Sequence, residues 1–206
     1  MHKTFISYHH DNDQDLKDQI IEGFGGEDFI DKSVHDGDID TDNSEETIMR
    51  KIREEYLSDS TVTLVIIGQE TALRPFVNSE IQASLWGNNP NGLLAVVRDE
   101  VYDLMYKSGT CTSPSCNCGI KLRNTTSFYK IYTPDLVYEN RIYEGDEAHY
   151  NDSQVYCSLM RFSTFIKDPE KYINEAFDKR DSGFKIKKKL KSDTPKIETK
   201  NKITML

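Results

Sequence analysis

The run Val62-Thr63-Leu64-Val65-Ile66-Ile67-Gly68 constrains the fold of this chain more than any other stretch. It is strand-length, rich in β-branched residues and closed by a glycine, so it reads as a buried strand. Thr4-Phe5-Ile6-Ser7-Tyr8 is an earlier strand, Asp28-Phe29-Ile30-Asp31 a weaker second one, and Gly92–Val97 a fourth. Helical patterns lie between them. Asp11 or Asn12 can cap a helix whose apolar positions are Leu16, Ile20, Ile21 and Phe24, ended by Gly23, Gly25 and Gly26. Asn43 with Glu46 starts another, with Ile48, Ile52 and Tyr56 as its buried face. Pro75 suits the first turn of a third, in which Val77, Ile81 and Leu85 form an apolar stripe. Alternating strands and helices predict an α/β fold, a parallel sheet with helices on both faces and right-handed crossovers.

The regularity stops after Arg98. Residues 99–127 read as a long insertion containing Cys111, Cys116 and Cys118. Ser127–Tyr132 alternates and predicts a fifth strand, and helices are expected near Val155–Phe165 and Glu170–Phe177. The length of 206 residues suits one domain, placed at 1–178, followed by a basic, mobile tail at 179–206. The net charge of −9 conceals an asymmetry. Residues 179–206 hold ten Lys/Arg and three Asp/Glu, a balance of +7, which leaves 16 basic against 32 acidic residues, −16, in the rest. So acidic a body argues against nucleic acid as the main ligand. No apolar run approaches a membrane span, the start Met1-His2-Lys3-Thr4 leads straight into a strand, and four cysteines without a secretory signal are expected as reduced thiols in a cytoplasm.

Candidate chemistry concentrates around Glu80. Phe76 and Glu80 lie one turn apart beside the apolar stripe, near the carboxyl ends of the strands, where open α/β sheets bind ligands. A solvated helical glutamate is the competing reading. Asp36, Asp38 and Asp40 fit the first half of a calcium loop, but Thr41 and Thr47 stand where glycine and glutamate are needed. The three clustered cysteines with His149 could hold zinc, yet their spacing is not that of paired zinc knuckles, and no metal site is expected. Phosphate-binding glycine loops, a G-x-S-x-G elbow and H-E-x-x-H are all missing. A receiver domain would need a phospho-accepting Asp where Ile67-Gly68-Gln69 stands.

Four segments carry a resemblance: Phe5–Asp13, the loop Asp36–Asp42, Ser60–Gly68 and Arg74–Ile81. In this order and spacing they resemble the TIR-like family of bacterial proteins, and within it the TIR proteins of Thoeris anti-phage systems. The likeness covers roughly residues 3–98 and, more loosely, 128–132; the insertion and the tail fall outside it. It implies a flavodoxin-like sheet of about five strands in the order 2-1-3-4-5, and consumption of NAD⁺ as substrate, with no resident cofactor. The family's catalytic glutamate maps onto Glu80, and Phe76 stands in place of the usual Trp. Tyr8, His9, His10, Asp36 and Asn78 are the expected substrate contacts, and Asp36–Asp42 the loop that gates the pocket or mediates self-association. The resemblance further implies a cyclic or conjugated ADP-ribose product, a separate effector that responds to it, a phage-derived trigger and a possible homo-oligomer.

Bond chemistry is compatible with a single carboxylate. The nicotinamide of NAD⁺ is a cationic pyridinium and departs neutral, so cleavage needs no general acid, unlike ordinary glycoside hydrolysis with its paired carboxylates. One carboxylate can hold ribose hydroxyls and stabilise the developing positive charge. The alternative is a TIR interaction module without turnover, acting by assembly.

Overall fold

The computed structural model describes residues 2–30, 32, 34, 43–111, 116 and 118–189. Asp36 and the whole acidic segment 36–42, with the calcium and gating expectations attached to it, lie outside the described residues. The strands are β1 (Thr4–Ser7), β2 (Phe29–Ile30), β3 (Val62–Ile67), β4 (Gly92–Val97), β5 (Tyr106–Thr110), β6 (Lys121–Thr125) and β7 (Ser158–Arg161). The helices are α1 (His10–Phe24), α2 (Glu45–Glu55), α3 (Pro75–Leu85), α4 (Asp99–Met105), α5 (Ser127–Tyr132), α6 (Asp135–Glu139), α7 (Phe162–Phe165) and α8 (Pro169–Asp178). Five strands form one parallel sheet in the order β2-β1-β3-β4-β7, the expected 2-1-3-4-5 arrangement; β5 and β6 make a separate antiparallel hairpin.

Every residue of β3 and β4 is buried, as runs without alternation require. Strand geometry then sorts the helices. Phe5 packs with Met49, Ile52 and Ala83 of α2 and α3, whereas Ile6 and Tyr8 pack with Leu16 and Ile20 of α1 and Ile173 of α8. Val65 and Ile67 face Val77 and Ile81, and Val62, Leu64 and Ile66 face the other way. Helices α2 to α4 thus cover one face, and α1, α7 and α8 the other. Gly92 begins β4 because α8 crosses too close for a side chain: a Cβ there would lie 2.1 Å from the Ala176 carbonyl oxygen.

The second half of the chain departs from expectation. Ser127–Tyr132 is a helix, not the fifth strand. Thr126 caps it by accepting the Phe128 N–H, and Phe128 stacks on Tyr132 one turn later, a helical contact that alternation disguises. The fifth strand of the sheet is β7, a four-residue segment within a region expected to be helical. Residues 99–127 are not a loop throughout, since α4, β5 and β6 lie there. The hairpin also undoes the objection to a metal raised by cysteine spacing. It brings Cys111 opposite Cys116 and Cys118, and the ligand atoms of these three and His149 lie within 4.8 Å of one another.

The expected mobile tail from residue 179 is corrected for residues 179–189; residues 190–206 lie outside the described residues. The Lys179 ammonium is buried and donates to Ser158 Oγ at 2.7 Å. Phe184 meets Tyr156 edge-on, and Phe184 and Ile186 pack on the core. Asn140 clamps the Lys187 backbone, donating to its carbonyl and accepting its N–H at 2.9 and 3.0 Å. Truncation after residue 183 is therefore expected to cost on the order of 2–3 kcal/mol in lost apolar burial and hydrogen bonds. Thermal denaturation of the truncated chain, with a midpoint lower by roughly 5–10 °C, checks this.

Candidate functional site

Glu80 sits in the middle of α3, on the side turned to β1. Its side chain is buried, with 2% of the residue exposed, so the solvated reading is excluded. Ser7 Oγ donates to Glu80 Oε2 at 2.6 Å, and the Val34 backbone N–H donates to Oε1 at 2.9 Å. Burial raises the carboxyl pKa to about 7, against the opposing pull of these two hydrogen bonds. Phe76, one turn earlier, is partly buried against the cluster that holds Phe5, Val34 and Ile52. Ser7 carries its own signal in sequence: it shares Phe5's face of β1, so a hydroxyl is aimed into a core position.

α3 is finished at one end and open at the other. At its carboxyl end the Arg53 guanidinium donates to the carbonyls of Ala83 and Ser84, so the last turn is satisfied. At its amino end no side chain caps it; Arg74 is the capping residue and Pro75 opens the first turn. Hydrogen-bonding capacity without a partner among the described residues gathers there: Arg74 Nε, Asn78 Oδ1 and His9 Nδ1 are all buried and unpaired. Asn78 Nδ2 donates to the carbonyls of Ala72 and Arg74, which fixes its orientation. His9 follows β1, and burial together with the Arg74 charge lowers its pKa, so the ring is neutral at pH 7. The Arg74 guanidinium also pairs with Glu70, so Arg74 Nε and the helix amino terminus are the donors left for an anionic group, while Asn78 Oδ1 can only accept, as from a hydroxyl.

The other expected contacts are placed differently. Tyr8 belongs to the core on the opposite face and donates from its hydroxyl to Gln14 at 2.7 Å. His10 starts α1 with its ring 4.4 Å from that of Tyr8. Neither joins Glu80. A second carboxylate, unassigned from sequence, lies at the same end of the sheet. Asp13 is wholly buried and accepts from Thr71 Oγ1 at 3.1 Å and from Arg98 Nε at 3.2 Å. Burial raises its pKa, partly offset by the bonds from Arg98 and Thr71. Gly68 is required beside it, because a Cβ there would lie 2.3 Å from Asp13 Oδ1.

Two clefts open on the surface away from this region, one lined by Asn140, Tyr143, Tyr156 and Phe184, the other by Lys3, Phe29, Tyr56 and Asp59. Neither reaches Glu80. Glu80 is itself 2% exposed, with the Val34 N–H against its carboxylate. Among the described residues, no helix is long and apolar enough to cross a membrane.

A parallel five-stranded sheet of this order, with a buried glutamate in the helix after the third strand, defines a TIR-like α/β domain. Residues 5–103 match the family described as Thoeris protein ThsB, TIR-like domain, and the chain thus contains a TIR-like domain related to Thoeris ThsB. That match ends within α4, so the hairpin, α5 to α8 and β7 lie beyond it. No curated protein matches the chain.

Proposed function

We propose that this chain consumes NAD⁺ in anti-phage defence, breaking the nicotinamide–ribose bond and releasing a cyclic or conjugated ADP-ribose that activates a separate effector. Membership of a TIR-like domain related to Thoeris supports the defence role. The observation that carries the chemistry is the buried Glu80 carboxyl at the carboxyl ends of the strands, where burial disfavours the ionised form but strengthens its attraction for a positive charge formed beside it. The C1′–N bond breaks with its electron pair moving onto the pyridinium nitrogen, and nicotinamide leaves neutral. The ribosyl cation is stabilised by ionised Glu80, then captured by water or by a nucleophile of the nucleotide itself. Arg74 Nε and the open amino end of α3 donate to phosphate oxygens, and Asn78 Oδ1 and the His9 ring meet ribose hydroxyls.

Glu80 is 2% exposed, so a substrate cannot reach its carboxylate while Val34 stays packed against it. Turnover therefore requires the Val34 backbone to move, which gives a phage-derived trigger, or assembly of several copies, a defined point of action. The acidic body fits a small-molecule substrate rather than nucleic acid as ligand.

The test is mass spectrometry of nucleotides from infected cells that express the chain. The expected result is loss of NAD⁺ with a new ADP-ribose-containing species, absent without infection. A protective chain that leaves NAD⁺ intact and yields no such species would favour an interaction module. Burial of Glu80 with both oxygens satisfied is the feature that reading would rest on.

A further inference from the structure

The hairpin β5–β6 poses a physical problem. It is a two-stranded sheet that shares no strand ladder with the main one; Arg123 of β6 donates to the Leu159 carbonyl of β7 at 3.1 Å, and most of the hairpin's residues are exposed. Such hairpins are marginal in water without an added tether. The tether can be read at its tip. Cys111 continues the ladder by donating its N–H to the Ile120 carbonyl at 2.9 Å, which sets it across from the segment holding Cys116 and Cys118. His149 comes from a separate segment, 31 residues after Cys118 and 33 after Cys116.

Two thiol sulfurs converge on a single imidazole nitrogen: His149 Nε2 lies 3.4 Å from Cys116 Sγ and 3.3 Å from Cys118 Sγ. One ring nitrogen has either one proton or one lone pair, so it cannot satisfy both as hydrogen bonds. A cation between them satisfies all at once. Tetrahedral zinc, with Zn–S about 2.3 Å and Zn–N about 2.0–2.1 Å, sets its sulfur and nitrogen ligands roughly 3.6 Å apart. All four ligand atoms lie within 4.8 Å of one another, a spread that a small inward adjustment closes.

We propose that Cys111, Cys116, Cys118 and His149 bind one structural zinc ion. The three thiols give up their protons to solvent on binding, and the neutral imidazole supplies Nε2. Thiolate and imidazole ligands select zinc over magnesium or calcium, and four protein ligands leave no open position, so the site holds structure and does no chemistry. It staples the hairpin to the segment before β7. The same two elements meet again where Arg123 of β6 pairs with Asp152, three residues after His149, at 3.2 Å. This half of the chain lies beyond the matched TIR-like segment.

The test uses the full chain, purified reduced and without chelator. Elemental analysis is expected to give about one zinc per chain, falling to about a tenth or less in Cys118→Ser and in His149→Ala. Cys157→Ala, a cysteine buried elsewhere, should keep the metal. Cobalt added to the stripped protein should give the intense visible bands and sulfur-to-metal absorption of a tetrahedral thiolate site. This readout holds even if a variant misfolds. Stripping the metal should expose three further thiols to a colorimetric thiol reagent. Metal well below stoichiometric with no cobalt bands in the reduced protein overturns the proposal. A disulfide among the three cysteines in place of metal does the same, as does zinc retained in both ligand variants.

Discussion

Glu80→Gln is expected to abolish NAD⁺ turnover and, at the same time, to stabilise the folded protein. Gln keeps the size of the side chain and can accept the Val34 N–H, while its amide donates to Ser7 Oγ. It cannot stabilise a ribosyl cation. Loss of one well-placed transition-state contact costs ~10²–10³ in rate, and loss of the only catalytic charge costs at least that. The sign of the stability change follows from linkage. With a folded pKa of about 7 against an ordinary 4.5, the folded state holds a proton that the unfolded chain has released. The penalty is absent below pH 4.5, grows between 4.5 and 7, and is constant above 7. A shift of this size corresponds to on the order of 3 kcal/mol. The variant should therefore melt roughly 5–10 °C higher than the native protein at pH 8, with little difference at pH 4. In the native enzyme under activating conditions, kcat/KM should rise with pH as Glu80 ionises, with its midpoint below about 7 because opening the site relieves the burial that raises the carboxyl pKa. Full turnover by a folded Glu80→Gln protein would move the catalytic site elsewhere; a variant less stable at pH 8 would show that the carboxylate is ionised and well solvated.

The first half of the fold is legible in sequence because its signals are local and redundant. Val62–Ile67 and Gly92–Val97 are buried on both faces, so composition alone marks them and their bounds match the strands found. Glu80 is legible only as one of two readings. Burial depends on Ser7 and Val34, which lie 73 and 46 residues away and leave no trace in the periodicity of α3. The second half is hidden for a different reason. β7 has four residues and draws its stability from pairing with Leu94–Val97, a contact no window on the sequence contains. Ser127–Tyr132 misleads because its aromatic residues serve a helix face, with Tyr129 against Tyr106 at 5.3 Å, while their order mimics a strand. The cysteine–histidine cluster is hidden likewise. Spacing along the chain says little about ligands that a hairpin folds together with a residue 31 positions on.

Asp13→Ala is expected to be among the most destabilising single changes at the carboxyl end of the sheet, and to do so without removing the reaction. Asp13 is wholly buried, and its loss strips Thr71 Oγ1 of an acceptor and leaves a gap beside Gly68. The Arg98 guanidinium keeps only Asp15, Glu100 and the Asn12 carbonyl, all on the solvent side. Breaking a buried pair by removing one partner costs about 3–5 kcal/mol, and the remaining acidic partners place this case near the lower figure. The raised pKa of Asp13 carries a second consequence. Ionised Asp13 is less comfortable in the fold than in water, so the pair adds little net stability over an apolar replacement. Asp13→Leu combined with Arg98→Met should therefore lose less than the sum of those two single changes, a non-additivity that a double-mutant cycle reads directly. Turnover of the folded Asp13→Ala protein, measured well below its midpoint, should stay within about tenfold of native, because no transition-state charge is removed. A loss as deep as that of Glu80→Gln in a folded Asp13→Ala protein would make Asp13 the catalytic carboxylate, with Glu80 left as a buried acid held by Ser7 and Val34.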